Sequence, residues 1–300
     1  MGRFERVFLA GVVVLSGVFF SEALGTPEII AYTRPLYTTA GDPADYVVSP
    51  GAGLDGVVDI IGYDTGLGGY IRGSGSLIAD RYILTAAHVV DGLDVSNTTV
   101  YFDMPGGAVA IGASAFSVHP NWDGDITIGN DIAIIELTGA APTGAERYGI
   151  YRAADEVGQA AYKSGYGRSG NGSEGDVLSS GTKRAGYNLY DSLGDILDVV
   201  FNPLPGAQLA YDFDNGLAAN DAFGEFFGIE NLGLGPDEVF SAPGDSGGPT
   251  LIGNQVAGIT SYGVRLQWST GGSSDVDSEL NASFGELSVD TRVSLLCRLG

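Results

Sequence analysis

The chain has 300 residues, of which 44% are hydrophobic and 17% charged, a composition that supports a folded core and excludes a disordered chain or a coiled coil. Thirty-seven acidic against fourteen basic side chains give a net charge of −23, which repels phosphate backbones and argues against nucleic acid as a partner. The single cysteine, Cys297, excludes an intrachain disulfide, and a chain of this length requires neither a disulfide nor a metal to fold.

The first 25 residues have the order of a secretory signal peptide. Arg3 and Arg6 form a basic start, residues 7–20 are fourteen consecutive apolar or small residues, and small residues precede a predicted cleavage after Gly25. Fourteen helical residues span ~21 Å, short of the ~30 Å hydrocarbon core, which makes a membrane anchor the weaker alternative. We therefore expect a secreted, periplasmic or cell-surface protein without a stable membrane span.

The remainder of the sequence predicts strands. Residues 26–55 are rich in Pro, Gly, Thr and Asp with little periodicity, which indicates an N-terminal extension or pro-segment. From Gly56 onward, short β-type runs are bounded mostly by Gly, Asp or Asn, and no helical stripe clearly competes with them before the C-terminus. This spacing predicts an all-β barrel or sandwich. The predicted strands include residues 57–61, 76–78, 82–84, 98–102, 132–137 and 255–262.

Residues 211–227 are an acid- and aromatic-rich insertion. Within it, Asp212, Asp214 and the nearby Asp221 raise the question of a calcium ion, because clustered oxygens on a loop suit that ion. Their spacing does not match the EF-hand pattern, and such clusters arise by chance in so acidic a chain. We therefore predict no metal ion and no cofactor.

Only two histidines are present, so a reaction that needs an imidazole base has two candidates. His119 precedes a proline in a turn and is interpreted as structural, whereas His88 follows an apolar strand and has small neighbours. Ser246 lies among glycines that let the backbone turn sharply, and a base beside it would activate its hydroxyl. The amides of Gly244 and Ser246 are placed to stabilise an oxyanion.

Asp131 opens the apolar strand 132–137, so burial is expected and a histidine N–H is a suitable partner for its carboxylate. Taken alone, each of these features has a structural alternative. Asp131 then becomes a strand-edge carboxylate facing water, and the Ser246 segment becomes a glycine-rich hairpin turn.

Three segments together resemble the trypsin/chymotrypsin-like serine protease family. They read Leu-Thr-Ala-Ala-His at 84–88, Asn-Asp-Ile-Ala at 130–133 and Gly-Asp-Ser-Gly-Gly-Pro at 244–249, in the family's order His, Asp, Ser. The resemblance covers about residues 56–294, the predicted protease domain, and leaves 295–300 as the C-terminal end.

The resemblance implies an all-β fold of two packed antiparallel six-stranded barrels with a short C-terminal helix. The first barrel would span about residues 56–145 and the second about 158–275. By the same resemblance, His88 is the general base, Asp131 orients it, and Ser246 attacks the peptide carbonyl. Gly244 and Ser246 would supply the oxyanion-hole amides.

The substrate pocket is predicted by alignment with the family. Phe240 stands six residues before the nucleophile, where trypsin-like members keep an aspartate, so strict cleavage after Arg or Lys is disfavoured. Thr260 stands where glutamate-specific bacterial relatives keep a histidine, which disfavours that preference as well. With these two preferences disfavoured, we expect a substrate with a small or apolar P1 residue. The predicted pocket or cleft residues are Phe240, Ser241, Pro243, Ser261, Tyr262 and Gly263.

The chain departs from the family in its cysteines and its activation signal. Gly73, Val89 and Ala242 stand at usual cysteine positions, which indicates a disulfide-free member of bacterial type. In the family, a newly cut N-terminus pairs with the aspartate before the serine, here Asp245. No family-type activation tetrapeptide follows an Arg or Lys, so an unusual cleavage, no zymogen, or a different partner for Asp245 are all open.

The predicted function is that of a secreted serine endopeptidase acting on polypeptides through an acyl-enzyme. One alternative is a catalytically silent, protease-like binding or surface protein, which would normally have lost a triad residue or the oxyanion glycine. The other is an esterase with the same triad. Esterases usually have the α/β-hydrolase order Ser, Asp, His, which is not the order in this chain.

Overall fold

The computed structural model describes residues 28–34 and 36–296, so the predicted signal peptide and Cys297 lie outside the described residues. Strands dominate and the helices are short, which confirms the predicted all-β class and the short C-terminal helix. The helices are α1 (Ala87–Val90), α2 (Ala222–Phe227) and α3 (Val293–Leu296), with 3-10 turns at Gly194–Val199, Ala218–Asn220 and Gly235–Asp237.

The first half is a closed six-stranded barrel. Its strands are β3 (Val57–Asp64), β4 (Gly69–Ala79), β5 (Tyr82–Thr85), β6 (Leu93–Met104), β7 (Gly107–Val118) and β8 (Ala133–Leu137). They close in the order β3-β4-β5-β8-β7-β6, which leaves no free sheet edge. The two-residue alternation of a strand is clear in β8, where Ala133, Ile135 and Leu137 are buried and the residues between them are partly exposed.

The second half is a large sheet built around one long strand. The strands of this half are β9 (Gly149–Ile150), β10 (Ala160–Gly165), β11 (Arg184–Leu189), β12 (Ser192–Leu193), β13 (Gln208–Asp212), β14 (Val239–Ala242), β15 (Pro249–Ile252), β16 (Gln255–Trp268) and β17 (Leu287–Arg292), and all but β14 belong to the large sheet. The main path runs β11-β10-β15-β16-β17-β13-β12, and β9 adds to β16 in parallel.

Two further strands come from the N-terminal extension: β1 (Ile29–Arg34) and β2 (Leu36–Thr39). β1 pairs antiparallel with β16, and β2 pairs antiparallel with β14. Because β14 takes β2 as its partner, the described strands of the second half form a nine-stranded sheet and a two-stranded ribbon. The resemblance implies a second closed ring of six strands, and the difference arises because a sheet edge accepts any extended chain with free main-chain groups.

Buried polar contacts join the two halves close to the predicted site. The hydroxyl of Thr291 in β17 donates to the main-chain oxygen of Asp131 (2.9 Å), immediately before β8. Next to Thr291, Arg292 forms an ion pair with the fully buried Glu156 (2.6 Å), and Ser294 also donates to that carboxylate (2.5 Å). The Thr291 hydrogen bond fixes the start of β8 against the second half, and the Glu156 contacts hold the end of β17 to the segment between Ile150 and Ala160.

Candidate active site

Pairing of β5 with β8 brings His88 and Asp131 together. Thr85 at the end of β5 lies opposite Ala133 at the start of β8, so the residues just after one strand meet those just before the other. His88 follows in the single turn of α1. Its Nδ1 lies 2.7 Å from Oδ2 of Asp131, and its main-chain N–H donates to Oδ1 of the same carboxylate (2.9 Å).

Asp131 is completely buried, and a third donor reaches it from the second half. The hydroxyl of Ser261 in β16 donates to Oδ2 at 2.5 Å. Burial alone would raise the pKa of the Asp131 carboxyl, but His88 and the hydrogen bonds from His88 and Ser261 outweigh it and lower the pKa. Asp131 is therefore held as a carboxylate that accepts from Nδ1–H of His88.

Ser246 lies in the turn between β14 and β15, and two glycines shape that turn. Gly244 and Gly247 have φ angles of 101° and 82°, in the left-handed region that favours glycine. A Cβ on Gly247 would lie 2.1 Å from the hydroxyl oxygen of Thr85, so the turn packs directly against the end of β5. The first barrel also holds the turn through Ser74, whose N–H donates to the Ser246 carbonyl (2.8 Å).

Some main-chain N–H groups around Ser246 donate hydrogen bonds and others do not. Those of Asp245, Gly247 and Gly248 donate to the carbonyls of Ala242, Thr260 and Asp245, respectively, at 2.7–2.9 Å. Within the described ranges, the N–H groups of Gly244 and Ser246 donate to no acceptor. The two amides that the sequence selects for an oxyanion hole are therefore the unengaged ones of this turn.

The second ring nitrogen of His88 is also unengaged. Its Nε2 is buried and has no hydrogen-bond partner among the residues the structure describes, and no hydrogen bond joins it to Ser246. The Ser246 turn nevertheless packs against the segment that carries His88, because Gly247 lies against Thr85 and Ala86, three and two residues before the histidine. Catalytic hydrogen bonds are often long before substrate binds.

Asp245 points away from the cleft into the second half. It is 2% exposed, and its carboxylate accepts from the N–H groups of Gly167 (2.7 Å) and Ala242 (3.2 Å). Burial raises the pKa of Asp245 well above its usual value, although the Gly167 amide and the charges of Arg184 and Lys163 oppose that effect. The carboxylate thus has main-chain partners in the single chain, without a new N-terminus.

Three predicted pocket residues have buried side chains. The ring of Phe240 is fully buried and stacks on Phe213, with centroids 5.2 Å apart and planes 9° from parallel. Ser241 hydrogen-bonds to the hydroxyl of Tyr211 (2.5 Å), and Tyr262 is 1% exposed. These side chains belong to the core of the second half, so any contact with a substrate would come from their main chain.

The N-terminal extension lies along the predicted cleft. Gly263 pairs with Arg34 of β1 and also with Ser288 of β17, so β1 occupies the opposite edge of β16 from β17. Two residues further along the extension, Leu36 pairs with Ala242 in β14. The chain thus passes from one predicted wall of the cleft to the other.

Of the remaining predicted pocket residues, Pro243 is partly exposed.

Three features of the site were not predicted from the sequence. Ser261 was predicted as cleft lining, but it donates to Asp131, and Ser74 was not singled out at all. The pairing of the extension with β16 was also missed. The segment Ile-Ile-Ala-Tyr-Thr at 29–33 shows little alternation of apolar and polar residues. Its β-type composition was the one feature that could have predicted a strand there.

The sequence is similar to known trypsins. The Trypsin family model matches residues 65–190. Trypsin Blo t 3 of Blomia tropicalis is 32% identical over 193 residues, which cover 63% of this chain and 66% of that protein. Anionic trypsin of Canis lupus familiaris is 28% identical over 240 residues, 78% of this chain and 86% of the relative.

Solved structures show the same fold. HL collagenase aligns with a TM-score of 0.59 and 18% identity, covering 85% of this chain and 94% of that one. Neuropsin, a serine protease expressed in the limbic system of mouse brain, aligns with a TM-score of 0.59, 17% identity and coverages of 85% and 96%. The chain belongs to the trypsin/chymotrypsin-like serine protease family, a family of endopeptidase hydrolases.

The helices within the described ranges all fall short of the length and apolar character that crossing a membrane requires.

Proposed function

We propose that the protein is a serine endopeptidase in which Ser246 is the nucleophile, His88 the general base and Asp131 the residue that orients His88. The observation that carries this proposal is the hydrogen-bonded series Ser261, Asp131, His88. It leaves Nε2 of His88 as an unengaged ring nitrogen, on the segment against which the Ser246 turn packs. Family membership alone would not distinguish an active enzyme from a silent relative.

The proposed reaction uses the two ends of the imidazole differently. The carboxylate of Asp131 accepts from Nδ1–H, so Nε2 carries the lone pair and takes the Ser246 proton as the hydroxyl oxygen attacks the peptide carbonyl. The resulting imidazolium is stabilised by the buried carboxylate. It then protonates the leaving amine, and water repeats the sequence on the acyl-enzyme.

The amides of Gly244 and Ser246 are proposed to bind the oxyanion of the tetrahedral intermediate. Both N–H groups are unengaged within the described ranges, so no internal hydrogen bond has to break when the oxyanion forms. Preorganised donors of this kind contribute ~3–4 kcal/mol each to transition-state stabilisation.

For the substrate, we propose polypeptides with a small or apolar P1 residue. Phe240 at the family's specificity position is buried and uncharged, so it offers no partner to an Arg or Lys side chain. A peptide library varied at P1 tests this proposal. Dominant cleavage after Arg or Lys would contradict it.

We further propose that residues 26–55 act as a pro-segment. An extended peptide that binds the edge of β16 uses the same main-chain groups that β1 uses at Gly263 and Val264. Substrate and β1 therefore compete for one edge, and the precursor is expected to be less active than the processed chain. Secretion, to the periplasm, the cell surface or the medium, is proposed on the signal-type order of residues 1–25.

The experiment that tests the enzyme proposal is hydrolysis of an unstructured protein by the processed chain and by Ser246→Ala. Ser117→Ala serves as the control, because Ser117 is an exposed serine in β7, in the first barrel. We expect Ser246→Ala to lose activity and the control to keep it. Equal hydrolysis by all three would contradict the proposal, and no hydrolysis by the wild type would favour the silent binding protein. Hydrolysis of small esters with no peptide cleavage would favour the esterase.

A further inference from the structure

Five carboxylates converge in the second half, away from the triad. Asp191 follows β11, Asp212 ends β13, Asp214 and Asp221 lie in the insertion that follows β13, and Glu238 immediately precedes β14. One oxygen from each of Asp212, Asp214 and Asp221 lies within 4.8 Å of the other two. All three residues are at most 3% exposed, so their charges are withdrawn from solvent.

Asp214 is the most informative member of this cluster. It is 1% exposed, and both of its carboxylate oxygens are buried without a hydrogen-bond partner among the described residues. An ionised carboxylate in that position has lost its hydration and forms no hydrogen bond or ion pair in its place, which costs free energy. Because one of these oxygens faces those of Asp212 and Asp221, the missing partner belongs between the three side chains.

The neighbouring carboxylates are only partly satisfied, and only by neutral donors. Asp212 accepts from the N–H of Phe223 (3.0 Å), and Asp221 accepts from that of Gly224 (2.6 Å). Asn231 donates its main-chain N–H to Asp221 (3.1 Å). Within the described ranges, no lysine or arginine forms a salt bridge with any of the five acids.

Without a cation the cluster resists ionisation. Burial, together with the charges of Asp221 and Asp191, raises the pKa of Asp214 to about 8. Burial, together with the charge of Asp214, raises the pKa of Glu238 to about 9. The buried, unpartnered oxygens of Asp214 and the lack of a salt bridge to the cluster within the described ranges point to a bound cation that compensates these charges.

We propose that Asp212, Asp214 and Asp221 bind a calcium ion. The donors are all oxygens, with no histidine or cysteine among them, which excludes the usual zinc and copper sites. Calcium accepts six to eight oxygens in flexible geometry, whereas magnesium holds a strict octahedron with several waters, which a buried cluster accommodates poorly. Glu238 acts electrostatically on Asp212, and Asp191 acts on Asp212 and Asp214, so both would add negative charge around the ion. The sequence favoured a chance cluster because it does not show that Asp214 is buried without a partner.

The position of the site connects it with the cleft. Glu238 leads directly into β14, which carries Phe240 toward the Ser246 turn, and Phe213, between two of the proposed ligands, stacks on Phe240. A bound ion would join the insertion, α2 and the start of β14. Calcium is therefore expected to stabilise the wall of the cleft, in addition to neutralising the carboxylates.

The test uses the full-length protein carrying Ser246→Ala, so that neither autolysis nor failure of the enzyme proposal affects the result. Metal is removed with a chelator, and the protein is titrated with CaCl2 or MgCl2 by calorimetry and followed by thermal unfolding. We expect one calcium ion to bind, the Tm to rise, and magnesium to bind roughly tenfold or more weakly.

Asp214→Asn is the diagnostic variant, and Asp198→Asn, an exposed acid on the Gly194–Val199 turn, is the matched control. We expect Asp214→Asn to weaken calcium binding roughly tenfold or more while the Tm of its metal-free form equals or exceeds that of the parent, since an uncompensated charge is gone. Glu238→Gln gives a second variant with weakened binding if Asp214→Asn does not fold. Absence of a calcium-dependent Tm shift, equal affinity for magnesium, or unchanged calcium affinity in the variant that folds would each overturn the proposal.

Discussion

Replacing Ser261 with alanine tests the hydrogen-bonded series behind the proposed base. The change removes a hydroxyl that donates to Oδ2 of Asp131 at 2.5 Å in a fully buried position. A hydrogen bond to an ionised group contributes about 1.5–3 kcal/mol. Two donors from His88 remain on the carboxylate, at 2.7 and 2.9 Å, so the orientation of the imidazole should survive.

The lost donor should act mainly on the charged transition state. Asp131 becomes a less stable carboxylate, its lowered pKa rises toward the ordinary value, and the carboxylate is held less firmly in the position from which it stabilises the His88 imidazolium. If the full 1.5–3 kcal/mol appears in the barrier, kcat falls about 10- to 150-fold, with a smaller effect on KM.

The assay is the steady-state hydrolysis of one fluorogenic peptide across a range of pH. Ser274→Ala is a suitable control, since Ser274 is equally buried and its hydroxyl donates to the uncharged carbonyl of Gly285 (2.7 Å). The control should lose stability and keep its kcat. A Ser261→Ala enzyme with wild-type kcat would refute the reasoning.

Three further predictions concern processing, packing and stability. N-terminal sequencing of active protein should give a start after Thr39, because β1 and β2 occupy the cleft edges, and an active enzyme that starts near Thr26 would contradict this. Gly247→Ala should abolish activity and lower the Tm, because the new Cβ would lie 2.1 Å from the nearest hydroxyl oxygen at a positive φ, and unchanged kcat would contradict the packing of this turn. Lys163→Met should lower the free energy of unfolding in urea by ~3–5 kcal/mol. In the wild type, Nζ of Lys163 lies 2.7 Å from the carboxylate of Asp290, and the substitution leaves that carboxylate buried without its cation. A loss below about 1 kcal/mol would show that this pair contributes little.

Acid should affect the His88–Asp131 pair in a defined direction. The pKa of Asp131 is lowered in the folded protein, so its interactions stabilise the fold above the unfolded pKa, and this contribution is lost as pH falls through the folded value. Asp131→Asn should therefore cost stability at neutral pH and progressively less below about pH 4. A cost that is constant down to strongly acidic pH would contradict the assigned charge.

The sequence predicted those parts of the fold that depend on local pattern. The runs at 57–61 and 82–84 lie inside β3 and β5, and the run at 132–137 begins one residue before β8, because buried strands alternate or cluster apolar residues. The meeting of His88 with Asp131 followed from motif order and family resemblance, and the structure explains it by the register of β5 on β8.

What the sequence could not predict depends on long-range pairing and on burial. The strands β1 and β2 have little alternation of their own and are formed by pairing with edges more than 200 residues away. The burial of Phe240 depends on stacking with Phe213, which follows β13. The exposure of a side chain cannot be predicted from the residues next to it in the sequence. The same reason hid Asp214, because a buried carboxylate and an exposed one look identical in sequence.

The most direct test of the central claim is to label the processed protein with a fluorophosphonate probe and map the modified residue by mass spectrometry. We predict a single adduct on Ser246, loss of labelling in Ser246→Ala and strongly reduced labelling in His88→Ala. Labelling at another serine, or undiminished labelling of Ser246→Ala, would contradict the assignment of the nucleophile and with it the proposed mechanism.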